Sequence, residues 1–306
     1  MPDKTSEPSR RADFRCGTVA LVGRPNTGKS TLLNALLGWR LSIVGPKPQT
    51  TRHRILGVLT RDDGQILFLD TPGLHRGAVK AINRQLNRAA RGAIDEADVA
   101  VHVVDALRWT AEDEAVWDAL HGSGKAALLV LNKIDKIKEK TKLLQLVKEI
   151  TSTRKYANVY MISATSGDGL AALLDGIVEQ LPIAPAAYAA DELTDRSERF
   201  LAAELIREQI MLRLEQELPY AATVEIETFQ DTGRITQIEA AIWVERAGQK
   251  AIVVGAGGSQ LKAIGTAARL AMQRVFDRRV HLKLWVKVRE NWSDDEAALR
   301  RFGYDD

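Results

Sequence analysis

A chain of 306 residues exceeds the length of one ordinary domain, so two domains are expected. Hydrophobic residues at 45% and charged residues at 27% give the balance of a globular protein, and the apolar runs are too short to span a bilayer. A net charge of +3 does not by itself point to nucleic acid, and a single cysteine, Cys16, excludes an intramolecular disulfide and fits a reducing cytoplasm.

The opening "MPDKTSEPSRRADFR" lacks the apolar core of a secretory signal and is expected to be a flexible tail over 1–16. Short apolar runs follow: "TVALV" (Thr18 to Val22), "ILFLD" (Ile66 to Asp70), "VAVHVVD" (Val99 to Asp105), "ALLVLN" (Ala127 to Asn132) and "VYMIS" (Val159 to Ser163). Such runs suit strands buried on both faces, and amphipathic stretches between them, such as Ala78 to Ile94 and Lys142 to Tyr156, suit helices. The expectation is a doubly wound α/β domain over 17–181 around a mainly parallel sheet, with "RILGVLT" (Arg54 to Thr60) antiparallel at its edge. "LPIAPAAYAADELTDRS" (Leu181 to Ser197) breaks this rhythm, and a linker is placed over 182–196.

An α+β domain is expected over 197–306. Its order is a long helix over roughly Arg196 to Glu217, strands "TVEIETF" and "ITQIEAAIWVE", a helix, a glycine turn, another helix and a last strand "VHLKLWVKV". Alternation along that strand puts Val280, Leu282, Leu284, Val286 and Val288 on a core face and His281, Lys283, Trp285 and Lys287 on a basic one. From Glu245 to Glu290 there are ten Lys or Arg against three acids, a local excess that suits either a solvated exterior or a nucleic-acid surface.

Three motifs carry chemistry in the first domain. "GRPNTGKS" (Gly23, Arg24, Pro25, Asn26, Thr27, Gly28, Lys29 and Ser30) lies between a strand and a helix, where glycines turn N–H groups toward phosphate oxygens. There Lys29 would neutralise the β and γ phosphates and Ser30 would ligate Mg²⁺. "DTPGL" (Asp70, Thr71, Pro72, Gly73 and Leu74) follows 41 residues after Lys29 at the carboxyl end of a strand. In that place Asp70 can hold a metal-bound water, and the Gly73 N–H can sense a γ-phosphate. "NKID" places Asn132 to brace the loop, the Lys133 stem over a flat base, and Asp135 to accept from guanine N1–H and N2; adenine would leave that acid unpaired, so GTP and GDP are expected, not ATP. "SAT" (Ser163, Ala164 and Thr165) would complete the base pocket.

With "PKPQTTRHR" (Pro46 to Arg54), "DTPGLH" and a C-terminal "GAGG" (Gly255 to Gly258), the chain resembles the bacterial Era family, a GTPase domain joined to a KH domain. The resemblance covers Gly17 to about Tyr304. It implies that Thr51, with Thr50 the alternative, joins Ser30 on Mg²⁺. Leu74 stands where Ras-like enzymes keep a water-positioning glutamine, as is usual in the family, and relatives with an Asn at the place of Asn26 bind a K⁺ that supplies positive charge in the transition state. Catalysis is therefore assigned to Asn26, Lys29, Thr51, Asp70 and Gly73, with Mg²⁺ and K⁺ as cofactors. For the second domain the family implies a type II KH fold that clamps RNA at Gly255, Ala256, Gly257 and Gly258, flanked by Lys250 and Lys262, with Lys283 on the adjacent strand. Many KH loops have a basic residue where Ala256 stands, which implies weaker or more salt-sensitive RNA binding. The implied partners are the 3′ end of 16S ribosomal RNA, the 30S subunit during its assembly, and the cytoplasmic face of the inner membrane; no DNA is expected. The alternative is a switch that recruits a protein through a KH fold not used for RNA.

Overall fold

A computed structural model gives the coordinates of the protein and describes residues 13–45, 47–74 and 80–304. Expectations on residues 1–12, Pro46, 75–79 and 305–306, among them His75 of "DTPGLH" and the helix start near Ala78, lie outside the described residues. The chain forms two compact units: Met1–Leu41, Arg54–Arg76 and Asn87–Asp195 in one, and Ser42–His53, Gly77–Leu86 and Arg196–Asp306 in the other.

In the first unit β1 (Arg15–Val22) leads through α1 (Lys29–Leu37) to β2 (Ile55–Thr60) and β3 (Gly64–Asp70). Then come α2 (Ala81–Glu96), which belongs to this unit from Asn87 on, β4 (Val99–Asp105), α3 (Ala111–Ser123), β5 (Ala126–Asn132), α4 (Lys140–Thr153), β6 (Asn158–Met161) and α5 (Leu170–Gln180). The sheet order is β2-β3-β1-β4-β5-β6, parallel except for β2 against β3. Every residue of β3 and β4 is buried, as continuous Val, Leu and Ile runs between two helical layers require. One expectation needs correcting: the "VYMIS" strand is not buried on both faces, because β6 closes the sheet edge and leaves Asn158 and Met161 exposed.

Two segments expected to be loose are built into this unit. Phe14 is buried and β1 starts at Arg15, inside the span read as tail, because an aromatic next to the sheet gains more from burial than from solvent. The proline-rich stretch after α5 is strapped along the sheet. Pro182 O accepts from Cys16 N at 3.1 Å, and Ala184 N donates to Phe14 O at 3.1 Å. Gln65, fully buried on β3, accepts from Ala187 N (2.7 Å) and Tyr188 N (2.9 Å) and donates to Tyr188 O (2.9 Å). Further on, Leu193 O accepts from Val58 N (2.9 Å), and the Thr194 hydroxyl donates to Leu56 O (2.6 Å), so the outer edge of β2 is capped.

The second unit holds α6 (Glu198–Arg213), β7 (Thr223–Asp231), β8 (Ile235–Val244), α7 (Ala247–Val254), α8 (Ser259–Phe276), β9 (Arg279–Val288) and α9 (Glu296–Arg301). Its sheet runs β7-β8-β9, with β7 and β8 antiparallel and β8 and β9 parallel. The Ser197 hydroxyl caps α6 by accepting from Phe200 N, and the helix stops at Arg213, short of Glu217, where Gln216 turns the chain at φ 54°. Ile238, Ala240, Ile242 and Val244 on central β8 are buried, as are Ile264, Ala268 and Met272 of α8, which packs on α6 and β9. The segment Ser42–His53 belongs to this unit through Arg52, whose guanidinium donates to the carbonyls of Pro219, Tyr220 and Ala222 at 2.9–3.0 Å, and through His53, stacked on Tyr304 at 4.6 Å.

Replacing Gln65 with Leu keeps the volume and leaves the amides of Ala187 and Tyr188 without an acceptor. A loss of about 2–4 kcal/mol from the first unit is expected, seen as a lower urea midpoint in the fluorescence of Trp109 and Trp117; an unchanged midpoint would show that the strap is not held there.

Candidate functional site

The strand β1 ends at Val22 and α1 begins at Lys29, so the intervening turn has to reverse direction within six residues. Left-handed backbone at Asn26 (φ 62°) and Gly28 (φ 98°) accomplishes this. A Cβ at Gly23 would lie 2.4 Å from the Val103 carbonyl oxygen, and one at Gly28 would lie 2.3 Å from Asn132 Nδ2, so both positions admit only glycine.

Lys29 is buried, and its ammonium donates to the carbonyls of Gly23 and Arg24 at 3.0 Å each. Burial pulls its pKa down to about 8, opposed by the carboxylates of Asp70 and Asp113 and assisted by the Arg24 guanidinium. Beside it the Ser30 hydroxyl donates to Asp70 Oδ2 at 2.7 Å, which puts a hydroxyl and a carboxylate of Mg²⁺-type donor chemistry together at the end of β3. The Thr71 hydroxyl ties the following turn to Leu21 O at 2.8 Å. At Gly73 a Cβ would meet Pro25 N at 2.7 Å, so the "DTPG" turn lies directly against the phosphate loop. Pro72 is buried, and the Leu74 side chain enters the apolar cluster of Ala20, Val22, Leu69 and Ile94, where it is a core residue. Arg24 also departs from a phosphate-facing role: its Nε bonds Asp113 Oδ2 at 3.1 Å, at the N-terminus of α3.

The base loop is held by Asn132. Its Nδ2 donates to Thr27 O at 2.9 Å, and its Oδ1 accepts from Lys133 N (2.8 Å) and Ala164 N (3.0 Å). Lys133 Nζ donates to Asn26 O (2.5 Å) and Asp105 Oδ2 (2.8 Å). Asp135 is exposed, with one oxygen accepting from the buried Ser163 hydroxyl at 2.6 Å. Gly23 to Ser30, Asp70 to Leu74, Asn132 to Asp135 and Ser163 to Ala164 thus gather at the carboxyl ends of β1, β3, β5 and β6. Thr50 and Thr51 belong to the second unit: the Thr50 hydroxyl closes a turn onto Lys47 O at 2.7 Å, and Thr51 is buried.

In the second unit the "GAGG" tetrad joins α7 to α8 as a single tight turn. Gly255, Gly257 and Gly258 have φ of 72°, 57° and 80°. A Cβ at Gly255 would strike Gln260, whereas Gly257 and Gly258 face open space. Ala256, Lys250 and Lys262 are exposed around it. The basic face of β9 is tempered by cross-strand acids: Lys283 pairs with Glu239 at 3.0 Å, and Lys287 pairs with Glu227 while lying 5.5 Å from the Trp243 ring.

Two residues at the nucleotide end were absent from the sequence reading. Asp113 sits inside a capping box with Thr110, which disguises it as a helix start, and Asp105 is the last residue of an apolar strand. The position of Asp105 at the carboxyl end of a parallel strand was the available signal.

A family model for "50S ribosome-binding GTPase" matches residues 18–133, and one for "KH domain" matches residues 217–293. Over 297 residues the chain is 52% identical to GTPase Era of Stenotrophomonas maltophilia strain K279a, covering 97% of this chain and 100% of that one. It is 53% identical over 291 residues to GTPase Era of Xanthomonas axonopodis pv. citri strain 306, covering 95% and 97%. Among solved structures, an Aquifex aeolicus Era variant bound to GDP and aluminium fluoride superposes with TM-score 0.91 at 36% identity, covering 95% of this chain and 99% of that one. A complex of Era with MgGDPNP and nucleotides 1506–1542 of 16S ribosomal RNA gives TM-score 0.92 at the same identity and coverage. With the phosphate loop, the guanine loop and the KH turn all present over nearly its full length, the chain belongs to the Era family of GTPases.

Proposed function

We propose that the chain is a GTP-hydrolysing switch that binds the 3′ end of 16S ribosomal RNA through its KH unit and assists 16S processing and assembly of the 30S subunit. In this reading a GTPase domain spans 17–181 and a KH domain 197–306, and the connecting segment 182–196 is bonded along the first unit up to Thr194. The observation that carries it is the pairing, in one chain, of a guanine loop braced onto a phosphate loop with a second unit presenting an open glycine tetrad. The solved Era complex with MgGDPNP and a 16S fragment supports the same pairing of ligands. The setting is the cytoplasm, with any contact to the inner-membrane surface carried by basic charge.

Asp135, held by Ser163, accepts from guanine N1–H and N2, and the Gly23 to Gly28 turn presents N–H groups to the phosphates. Ser30, Thr51 and, through water, Asp70 would hold Mg²⁺, which supplies charge neutralisation at the β and γ oxygens. Gly73 would read the γ-phosphate through its N–H. With Leu74 in the core, that side chain cannot act as a base, and backbone groups place the attacking water. Asn26, held left-handed beside the phosphates, is the residue for a K⁺ ligand.

Bound phosphate replaces the Gly23 and Arg24 carbonyls as the partner of Lys29 and lifts its pKa from about 8 toward the ordinary lysine range, so nucleotide binding takes up a proton between those two values. Calorimetry in buffers of different ionisation heat should show uptake near pH 9 and none from this group near pH 6.5, with affinity falling as pH rises above 8. Replacing Asn26 with Ala should remove the KCl-over-NaCl stimulation of turnover, about tenfold on the scale of one lost transition-state charge contact; equal stimulation in mutant and wild type would count against the K⁺ ligand. Gly257→Asp puts a carboxylate where RNA phosphate approaches. Retention of a 16S 3′-end oligonucleotide should drop by about tenfold or more while GTP affinity stays within about twofold. Undiminished retention would favour the protein-recruiting alternative.

A further inference from the structure

We propose that Asp105 is a positioning residue for nucleotide binding, one that clamps Lys133 onto the phosphate loop so that the base loop and the Asn26 turn act as one preformed body. The role rests on the reading of Lys133 and Asn26 as parts of the GTP site. Asp105 closes β4 directly opposite Asn132 at the end of β5, and Ala106 N donates to Asn132 O at 2.8 Å, so the two strand ends are fixed to each other. Its carboxylate divides its work. Oδ1 accepts from Leu107 N at 3.0 Å, which sets its rotamer, and Oδ2 accepts from Lys133 Nζ at 2.8 Å. The same ammonium donates to the Asn26 carbonyl at 2.5 Å.

The two backbones that this ammonium joins are both unusual. Lys133 (φ 70°) and Asn26 (φ 62°) are non-glycine residues with positive φ, a backbone region that L side chains adopt rarely. The Lys133 side chain, only 24% exposed, would otherwise keep rotamer freedom to lose when a base slides against its stem. An anchored ammonium removes that loss in advance. Burial tends to raise the Asp105 carboxyl, but the bonds from Lys133 and the Leu107 amide hold it below the usual carboxylate range, so the clamp stays ionised at neutral pH.

The test is a double-mutant cycle with equilibrium binding of fluorescent GDP. Asp105→Asn should weaken GDP and GTP about tenfold, the equivalent of one charged hydrogen bond, raising KM for GTP while kcat changes less than about twofold and the guanine-over-adenine preference survives. Lys133→Met should weaken binding similarly, and in that background Asp105→Asn should add less than about twofold, because the clamp has lost its object. Should Asp105→Asn fail to fold, Asp105→Ser keeps an acceptor for the Leu107 amide and runs the same cycle. Wild-type affinity in the Asp105 variant, or an equal loss in both backgrounds, overturns the proposal. If Lys133→Met alone leaves guanine-nucleotide affinity untouched, the site reading beneath it fails instead and takes the clamp with it.

Discussion

One buried amide holds the nucleotide end of the molecule together. Asn132 reaches from the tip of β5 to the Thr27 carbonyl of the phosphate loop, to its own neighbour Lys133, and to the Ala164 amide of the "SAT" loop. Its Nδ2 fills the space that a Cβ at Gly28 would claim, so the glycine and the asparagine are a single fitted pair. An amide can do this because it donates on one side and accepts twice on the other, which a carboxylate or an ammonium cannot. Three loops that share no sequence neighbourhood are thereby referred to one point.

Charge is handled with the same economy. Lys29 is removed from water with the carbonyl oxygens of Gly23 and Arg24 as partners, a poor substitute for hydration, and burial lowers its pKa to about 8. In the proposed reading a phosphate that displaces the two carbonyls would relieve that desolvation. Arg24, which the sequence places equally close to phosphate, is neutralised by Asp113 and so does not compete with Lys29.

The motifs were legible because their chemistry is local and their order is fixed. Gly23 to Ser30, Asp70 to Gly73 and Asn132 to Asp135 each follow an apolar strand; on β9 the period-two pattern finds the buried Val280 and Val286, but Leu282 and Leu284 are half-buried and Val288, at the strand end, is exposed. What escaped is what depends on distant partners. The proline-rich stretch looks like a linker by composition, yet its backbone is bonded to Gln65, Val58 and Leu56, residues some 120 or more positions earlier. Lys283 and Lys287 count as basic in sequence, but cross-strand register sets them opposite Glu239 and beside Glu227. "VYMIS" has the apolar run of a central strand and lies at an edge, since strand order is a global choice.

Leu74 ties these observations to mechanism. A glutamine following the "DTPG" turn could reach a water, but a leucine finds a better place among Val22, Leu69 and Ile94, and by burying itself it fixes the start of the segment behind Gly73. The turn is then held at both ends, by Thr71 on Leu21 O and by Leu74 in the core, with Gly73 pressed against Pro25. In the proposed mechanism a backbone N–H positioned this firmly would be a donor that needs no reorganisation when charge develops on the γ-phosphate. Exchanging a polar side chain for an apolar anchor therefore moves the organisation of the attack from a mobile group to the rigid main chain. Charge stabilisation in that mechanism would rest with Lys29 and the metal ions.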